Sequence, residues 1–171
     1  MSPVKRWFGR DRPPPPDARP LPPPADAPTL RRELGDLITR INASSGHLPT
    51  EAMVRIRDIG DRLVELLAHV ERLGDGGGGG PGSYELITVA GVISDYLPTS
   101  IDAYLALPPD FLVSHRNAEG ETPAEELCTQ LETMEKGVIE LTQAIYSGDA
   151  QRLSIQRRFL DSKFASSDLD F

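Results

Sequence analysis

The sequence predicts an all-α fold: a small antiparallel helical bundle with a proline-broken central helix pair, preceded by a disordered proline-rich N-terminal tail. Three observations carry this expectation. Apolar residues recur three and four apart in several separate stretches, which is the period of one helix face. Proline and glycine clusters punctuate those stretches. The one segment that also reads as strand, around Val89, Val92 and Ile93, lies inside a longer stretch of helical spacing.

The first twelve residues place Trp7 and Phe8 between Lys5, Arg6, Arg10 and Arg12. Aromatic residues flanked by cations suit a membrane interface or an acidic groove on a partner. The segment is too short to hold a helix alone, and a frayed tip without a specific role is the plainer alternative. Residues 13–28 contain two proline runs, Pro13 to Pro16 and Pro22 to Pro24. Such density forbids helix and favours an extended polyproline conformation. It serves either as a stiff spacer or as a docking site for a proline-reading domain. Residues 1–28 are thus assigned as tip and linker, and residues 29–165 as the bundle.

Thr29 can cap a helix that begins at Leu30 and carries Leu34, Leu37 and Ile41 on one face. Residues 42–49 read as a loop. Thr50 can cap the next helix, with Glu51 suited to its first turn. Met53, Ile56, Gly60, Leu63, Leu67 and Val70 form its apolar stripe, and charged residues fill the remaining positions. Gly60 on the apolar side permits close approach of a neighbour, while His69 reads as a surface residue. Residues 74–82, with five consecutive glycines, read as a flexible linker inside the bundle. A phosphate-cradling loop needs spaced glycines after a strand and then Lys-Ser/Thr, which this run lacks.

Ser83 can cap a third helix with Leu86, Ala90, Ile93 and Leu97 on one face; Ile87, Val89 and Val92 make it apolar over much of its circumference, as in a buried helix. Pro98 disfavours helical geometry at Leu97, so the element is expected to bend or break there and restart at Thr99 or Ser100. Pro108 and Pro109 stop it, and residues 111–121 read as a polar connection. Thr122-Pro123-Ala124-Glu125 then matches a capping box with proline at the first helical position. Leu127, Leu131, Met134, Val138, Leu141 and Ile145 continue as a heptad stripe of coiled-coil type. Glu125, Glu126, Glu132, Glu135 and Glu140 read as its solvated outer face. Gly148 is expected to end or kink this helix. A last helix follows, with Leu153, Gln156, Leu160 and Phe164 on one side and Ile155 and Phe159 beside them. Residues 166–171 form an acidic tail, either a frayed end or a short ligand for a partner.

The chain of 171 residues fits one domain plus tails, large enough to bury a core without metal or disulfide. Cys128 is the sole cysteine, so no intrachain disulfide forms, which suits a reducing compartment. No apolar run approaches the roughly 20 residues of a membrane-spanning helix, and the basic N-terminus lacks the hydrophobic run of a secretory signal. The net charge of −8 is uneven. Residues 1–28 hold five Arg and Lys against three Asp, whereas residues 81–171 hold six against fifteen acids. An acidic domain is a poor partner for phosphate backbones, so nucleic acid is not an expected ligand.

Asp95-Tyr96-Leu97-Pro98-Thr99-Ser100, followed by Tyr104 and Leu105, resembles the tyrosine-leucine-proline-threonine signature of the bromo-chloro-indolyl phosphate hydrolysis protein family, which lies close to the toxic-anion (tellurite) resistance proteins. The resemblance spans residues 53–164. It implies a small helical bundle in which this motif joins two helices, flanked by one amphipathic helix upstream and two closing helices downstream. Tyr96, Leu97, Pro98 and Tyr104 are then a structural hinge that fixes the angle between core helices. Family members often carry membrane-spanning segments ahead of the domain, where this chain has the Trp7-Phe8 tip and the proline spacer. The family name implies phosphate-ester hydrolysis, but the resemblance brings no catalytic residue with it.

Phosphoester hydrolysis needs a nucleophile and groups that neutralise phosphoryl oxygens. His47, His69 and His115 lie on separate elements, Cys128 sits beside Leu127 where a small buried hydrophobe is expected, and no Cys-x5-Arg phosphate loop occurs. Asp95 and Asp102 flank Pro98, where open helix ends could offer amides to an anion or carboxylates to a metal; helix-surface and helix-start roles are the plainer alternative. No catalytic, cofactor-binding or metal residue is assigned. The expectation is a non-enzymatic helical scaffold acting through protein partners, with self-association left open and a link to toxic-anion or envelope stress suggested by the resemblance. The alternatives are a phosphoester hydrolase, and a peripheral adaptor that reaches anionic lipid through Lys5, Arg6, Trp7, Phe8 and Arg10. The expected location is the cytoplasm or the inner membrane face.

Overall fold

The computed structural model describes residues 26–74 and 83–167. The expectations for the N-terminal tip with Lys5, Arg6, Trp7, Phe8 and Arg10, for the proline runs, for the five glycines and for the last four residues lie outside the described residues. All regular structure among the described residues is helical: α1 (Ala27–Ala43), a 3-10 turn (Ser45–His47), α2 (Thr50–Gly74), α3 (Ser83–Gly91), α4 (Leu97–Leu105), α5 (Pro109–Ser114) and α6 (Pro123–Ser167).

α1 starts two residues before Thr29, because Asp26 supplies the cap: its carboxylate accepts from the Thr29 amide at 2.9 Å. Hydrogen bonds from Thr29 hold the Asp26 carboxyl below the ordinary range. Thr50 is likewise the first residue of α2 rather than the residue ahead of it. The Thr122 to Glu125 box forms as the residues predict. Glu125 accepts from the Thr122 amide at 2.8 Å, and its own amide donates to the Thr122 hydroxyl at 3.1 Å. Two further expectations are corrected. Gly148 neither ends nor kinks α6, which runs for 45 residues; one glycine costs only about 1 kcal/mol of helix propensity, too little to stop a helix of good formers. The expected polar connection contains α5, which Pro109 opens from a preset helical φ.

Pro98 does not break the helix. Leu97 keeps helical dihedrals, φ −67° and ψ −51°, and its amide donates to the Val92 carbonyl five residues back. A single π turn, Val92–Tyr96, thus joins α3 to α4. Proline has no N–H, and its ring presses on the carbonyl four residues earlier; widening the turn relieves both conflicts without ending the rod.

Side-chain contacts fix the helix directions. Arg31 pairs with Glu71, and Ile38 lies against Gly60, so α1 and α2 are antiparallel. Arg55 pairs with Glu135, and His69 with Asp149, an offset near 80 residues at both ends, so α2 and α6 run parallel. Glu33 meets Ser94 and Arg40 meets Asp102, so α1 is parallel to the α3–α4 rod. Consecutive long helices are antiparallel, as expected, but the pairs α2–α6 and α1–α4 are not. Around the bundle the order is α1, α2, α6 and the α3–α4 rod. Leu30, Leu34, Ile59, Leu63, Leu67, Leu97, Ile101, Leu131 and Val138 fill the centre, each less than 2% exposed. At about 25 cal/mol per Å² of apolar area removed from water, such burial drives the assembly. Among the described side chains of α6 the last buried one is Ile145, and every one from Ala150 onward is exposed. No described helix is long and apolar enough to cross a membrane.

Candidate functional site

Among the described residues, two grooves and one projecting helix offer chemistry at the surface. The first groove lies where the N-terminal ends of α2 and α6 meet, a depression of about 360 Å³ lined by Glu51, Arg55, Glu125, Cys128, Thr129 and Glu132. Arg55 is its centre. Its guanidinium lies 3.2 Å from Glu51, 3.4 Å from Glu135 and 4.0 Å from Glu132. The hydrogen bond to Glu51 above all raises the Arg55 pKa, while Nε is buried without a hydrogen-bond partner. Glu132 is held below the ordinary range by the Lys136 hydrogen bond and charge, then by Arg55. Glu132 and Glu135 are therefore not simply a solvated outer face: they help tie α6 to α2. Burial, then Glu51, pushes the Cys128 thiol up, so it stays a neutral thiol rather than a nucleophilic thiolate at neutral pH. Glu51, Glu125 and Glu132 are thus already committed to a cap and to ion pairs. Among the described residues no three His, Cys, Asp or Glu side chains are grouped to hold a metal.

The second groove runs between α1 and the α3–α4 rod and measures about 590 Å³. Leu37, Ile93 and Pro98 form its floor; Glu33, Asp36, Arg40 and Asp102 edge it. Ser94 donates to Glu33 at 3.2 Å, and Arg40 faces Asp102 at 3.4 Å. The expected hinge residues are distributed around this region. Leu97 is buried and Pro98 half-buried, while Tyr96 is 41% exposed with its ring close against Gly91. A β-carbon at Gly91 would stand 3.2 Å from the Tyr96 ring, so glycine there gives the ring its seat. Tyr104 is half-buried on the α6 side; burial, then Cys128, raises its pKa. Asp95 accepts from the Thr99 hydroxyl at 3.3 Å, and Asp102 belongs to the groove edge. The two carboxylates are thus held apart by different partners.

The third feature is the end of the shared α2–α6 seam. His69 is not a bare surface residue: its Nε2 lies 2.7 Å from Asp149 and its ring meets Tyr146 edge-on at 4.8 Å. Beyond this clasp α6 runs on to Ser167; this stretch, residues 150–167, is its arm, and Leu153 is 69% and Ile155 59% exposed there. His47 and His115 stay on separate elements; His115 stacks on Phe111 at 4.2 Å. The His69 clasp could have been found only with the parallel α2–α6 register in hand, which the stripes alone do not specify. Comparison with protein-family models, curated proteins and solved structures returned no match to this chain.

Proposed function

We propose that this chain is a helical interaction scaffold rather than an enzyme, and that it works through protein partners. The observation that carries the reading is the α6 arm: a helix that outruns its own core and shows Leu153 and Ile155 to solvent. Leu153 and Ile155 are two residues apart and so point to opposite sides of that helix, each offering an apolar contact to a partner. The open, acid-lined grooves support the same reading, since Glu51, Glu125, Glu132 and Asp102 are engaged in a cap and in ion pairs. In this reading the Trp7-Phe8 tip and proline run act as a tether to a partner or to anionic lipid at the inner membrane face. The resemblance around Tyr96 to Ser100 suggests a setting in toxic-anion or envelope stress.

A pull-down comparing the full chain with one starting at Ala25, which keeps the Asp26 cap, tests the scaffold. Capture of a defined partner that survives chelation is the expected result. Turnover of a chromogenic phosphate by pure protein, abolished by one substitution, would overturn the reading in favour of a hydrolase.

A further inference from the structure

We propose that the groove between α1 and the α3–α4 rod seats the chain's own N-terminal tip, residues 5–12, with Trp7 and Phe8 on the apolar floor and the flanking cations against the acidic edges. This goes beyond the scaffold reading, because it gives the tip a resting place on the molecule itself.

Charge selects the occupant. Three stretches lie outside the described residues: 1–25, 75–82 and 168–171. Residues 75–82 hold one Asp and no cation, and residues 168–171 hold two Asp and no cation. Residues 1–25 are basic, with Lys5, Arg6, Arg10, Arg12 and Arg19 against Asp11 and Asp17. The groove is the complement, with Glu33, Asp36 and Asp102 against Arg40 over a floor of Leu37, Ile93 and Pro98. Opposite charges bring such surfaces together and set their register.

The backbone of the rod points the same way. The Leu97 amide donates to the Val92 carbonyl, and Tyr96 is the N-cap of α4, so its carbonyl takes the first bond of that helix. The carbonyls of Ile93, Ser94 and Asp95 lie between these two. Pro98 has no N–H, which leaves the Thr99 amide to serve all three. The rod wall of the groove, formed by Ile93, Ser94, Pro98 and Thr99, is therefore rich in acceptors and poor in backbone donors. Arginine and lysine side chains only donate. Single π turns of this kind are frequent at functional sites.

The tether reaches. Asp26 heads α1, and the Arg31–Glu71 pair puts that end at the base of the bundle. Along α1 the groove begins at Glu33, about 9 Å past Ala27, and ends at Arg40, about 20 Å past it. Residues 13–25 separate the tip from Asp26 and span up to about 40 Å at the polyproline rise. Asp17, Ala18 and Arg19 part the two proline runs, so turning back needs no bend inside either run. Leu37 and Ile93 are already buried, so the floor adds little area and charge carries the contact. A short tether supplies an effective concentration of order millimolar, at which even a contact of about millimolar dissociation constant is about half occupied. A seat of that strength forms within one chain and yields to a competing partner or lipid.

Trp7 is the sole tryptophan, so its fluorescence reports on the tip. Acrylamide quenching of the full chain at about 1 µM and low salt tests the seat. The expected quenching constant rises about twofold or more when salt is raised to about 0.5 M, and is the same at about 100 µM protein. Asp36→Lys raises it equally at low salt with helicity and Tm unchanged, whereas Glu119→Lys, the same charge change in the first groove, leaves it as it was. In a Cys128→Ala background a nitroxide on Ser94→Cys quenches Trp7 at low salt and one on Thr133→Cys does not, which reads the seat without a charge variant. Quenching indifferent to salt and to Asp36→Lys overturns the proposal. So does protection that grows with protein concentration, which puts the tip on a second copy, and so does release by Glu119→Lys in place of Asp36→Lys. A seated tip in a chain that captures nothing in the pull-down above upholds this proposal and sinks the scaffold reading; capture by a chain whose tip is not seated does the reverse.

Discussion

Replacing Leu131 by alanine probes how much of the molecule the α2–α6 seam holds. Leu131 is fully buried, and the parallel register sets it level with the first turn of α2, where Ala52 is also fully buried. Alanine removes the isobutyl body and leaves a cavity that the small Ala52 side chain cannot fill. Leu→Ala changes of this kind cost about 2–5 kcal/mol, and a poorly collapsing site argues for about 3 kcal/mol or more. For a folded unit of roughly 130 residues the unfolding entropy is about 0.27 kcal/mol/K, so the melting temperature falls by about 11 °C. Thermal unfolding followed by circular dichroism reads this directly. Leu153→Ala, made on the exposed arm at low protein concentration, is the control and shifts Tm by no more than about 2 °C. Equal losses from the two substitutions would refute the claim that the buried face of α6 ends at Ile145, and a Leu131→Ala loss under about 1 kcal/mol would refute the weight placed on the α2–α6 seam.

Other substitutions test other contacts. At Gly60 a new β-carbon stands 3.1 Å from the Ile38 Cδ1 methyl, the end of a half-buried flexible side chain. Gly60→Ala therefore stabilises by a few tenths of a kcal/mol, propensity outweighing a small Ile38 shift, whereas Gly60→Leu costs about 1–3 kcal/mol by overpacking; chemical denaturation separates the two. Thr122→Ala removes the box at the start of α6 and costs about 1 kcal/mol in the same assay. Glu125 and Asp26 lie below the ordinary carboxylate range in the folded chain, through hydrogen bonds from Thr122 and Thr29. Their contribution is complete above the unfolded-state pKa values and is lost as pH falls through the folded ones. Stability therefore drops below about pH 5, and Thr122→Ala makes the acid limb of the Tm–pH curve shallower. The Cys128 thiol, raised by burial and by Glu51, reacts with a thiol reagent at pH 7.5 at least about tenfold more slowly in the native chain than in denaturant.

Much of the fold was legible because it follows from local rules. The stripes from Leu30 to Ile41 and from Leu127 to Ile145 name buried faces by spacing alone, and Thr122 with Glu125 forms the predicted box. The break expected at Pro98 does not occur: the rule for residues before proline assumes an α turn, and a π turn offers an exit that keeps Leu97 helical. Gly148 was misjudged because a propensity penalty was treated as a stop signal. The site was less legible for a different reason. Apolar stripes say which face is buried but not which neighbour buries it or in which direction that neighbour runs. Arg55 among three glutamates, His69 on Asp149, and the groove between α1 and α4 all depend on those directions. The exposure of Leu153 and Ile155 was hidden by the assumption that every apolar stripe is buried within the bundle.

Distances between spin labels on α2 and α6 test the parallel register most directly. With Cys128 replaced by alanine, labels are placed in pairs at the exposed positions Val54 or Glu65 on α2 and Thr133 or Ala144 on α6. The account predicts that Val54–Thr133 and Glu65–Ala144 are the short pairs. Val54–Ala144 and Glu65–Thr133 are then the long ones, on helices where eleven residues span about 17 Å. Short distances for the crossed pairs instead would make α2 and α6 antiparallel and would remove both the Arg55 cluster and the His69–Asp149 clasp.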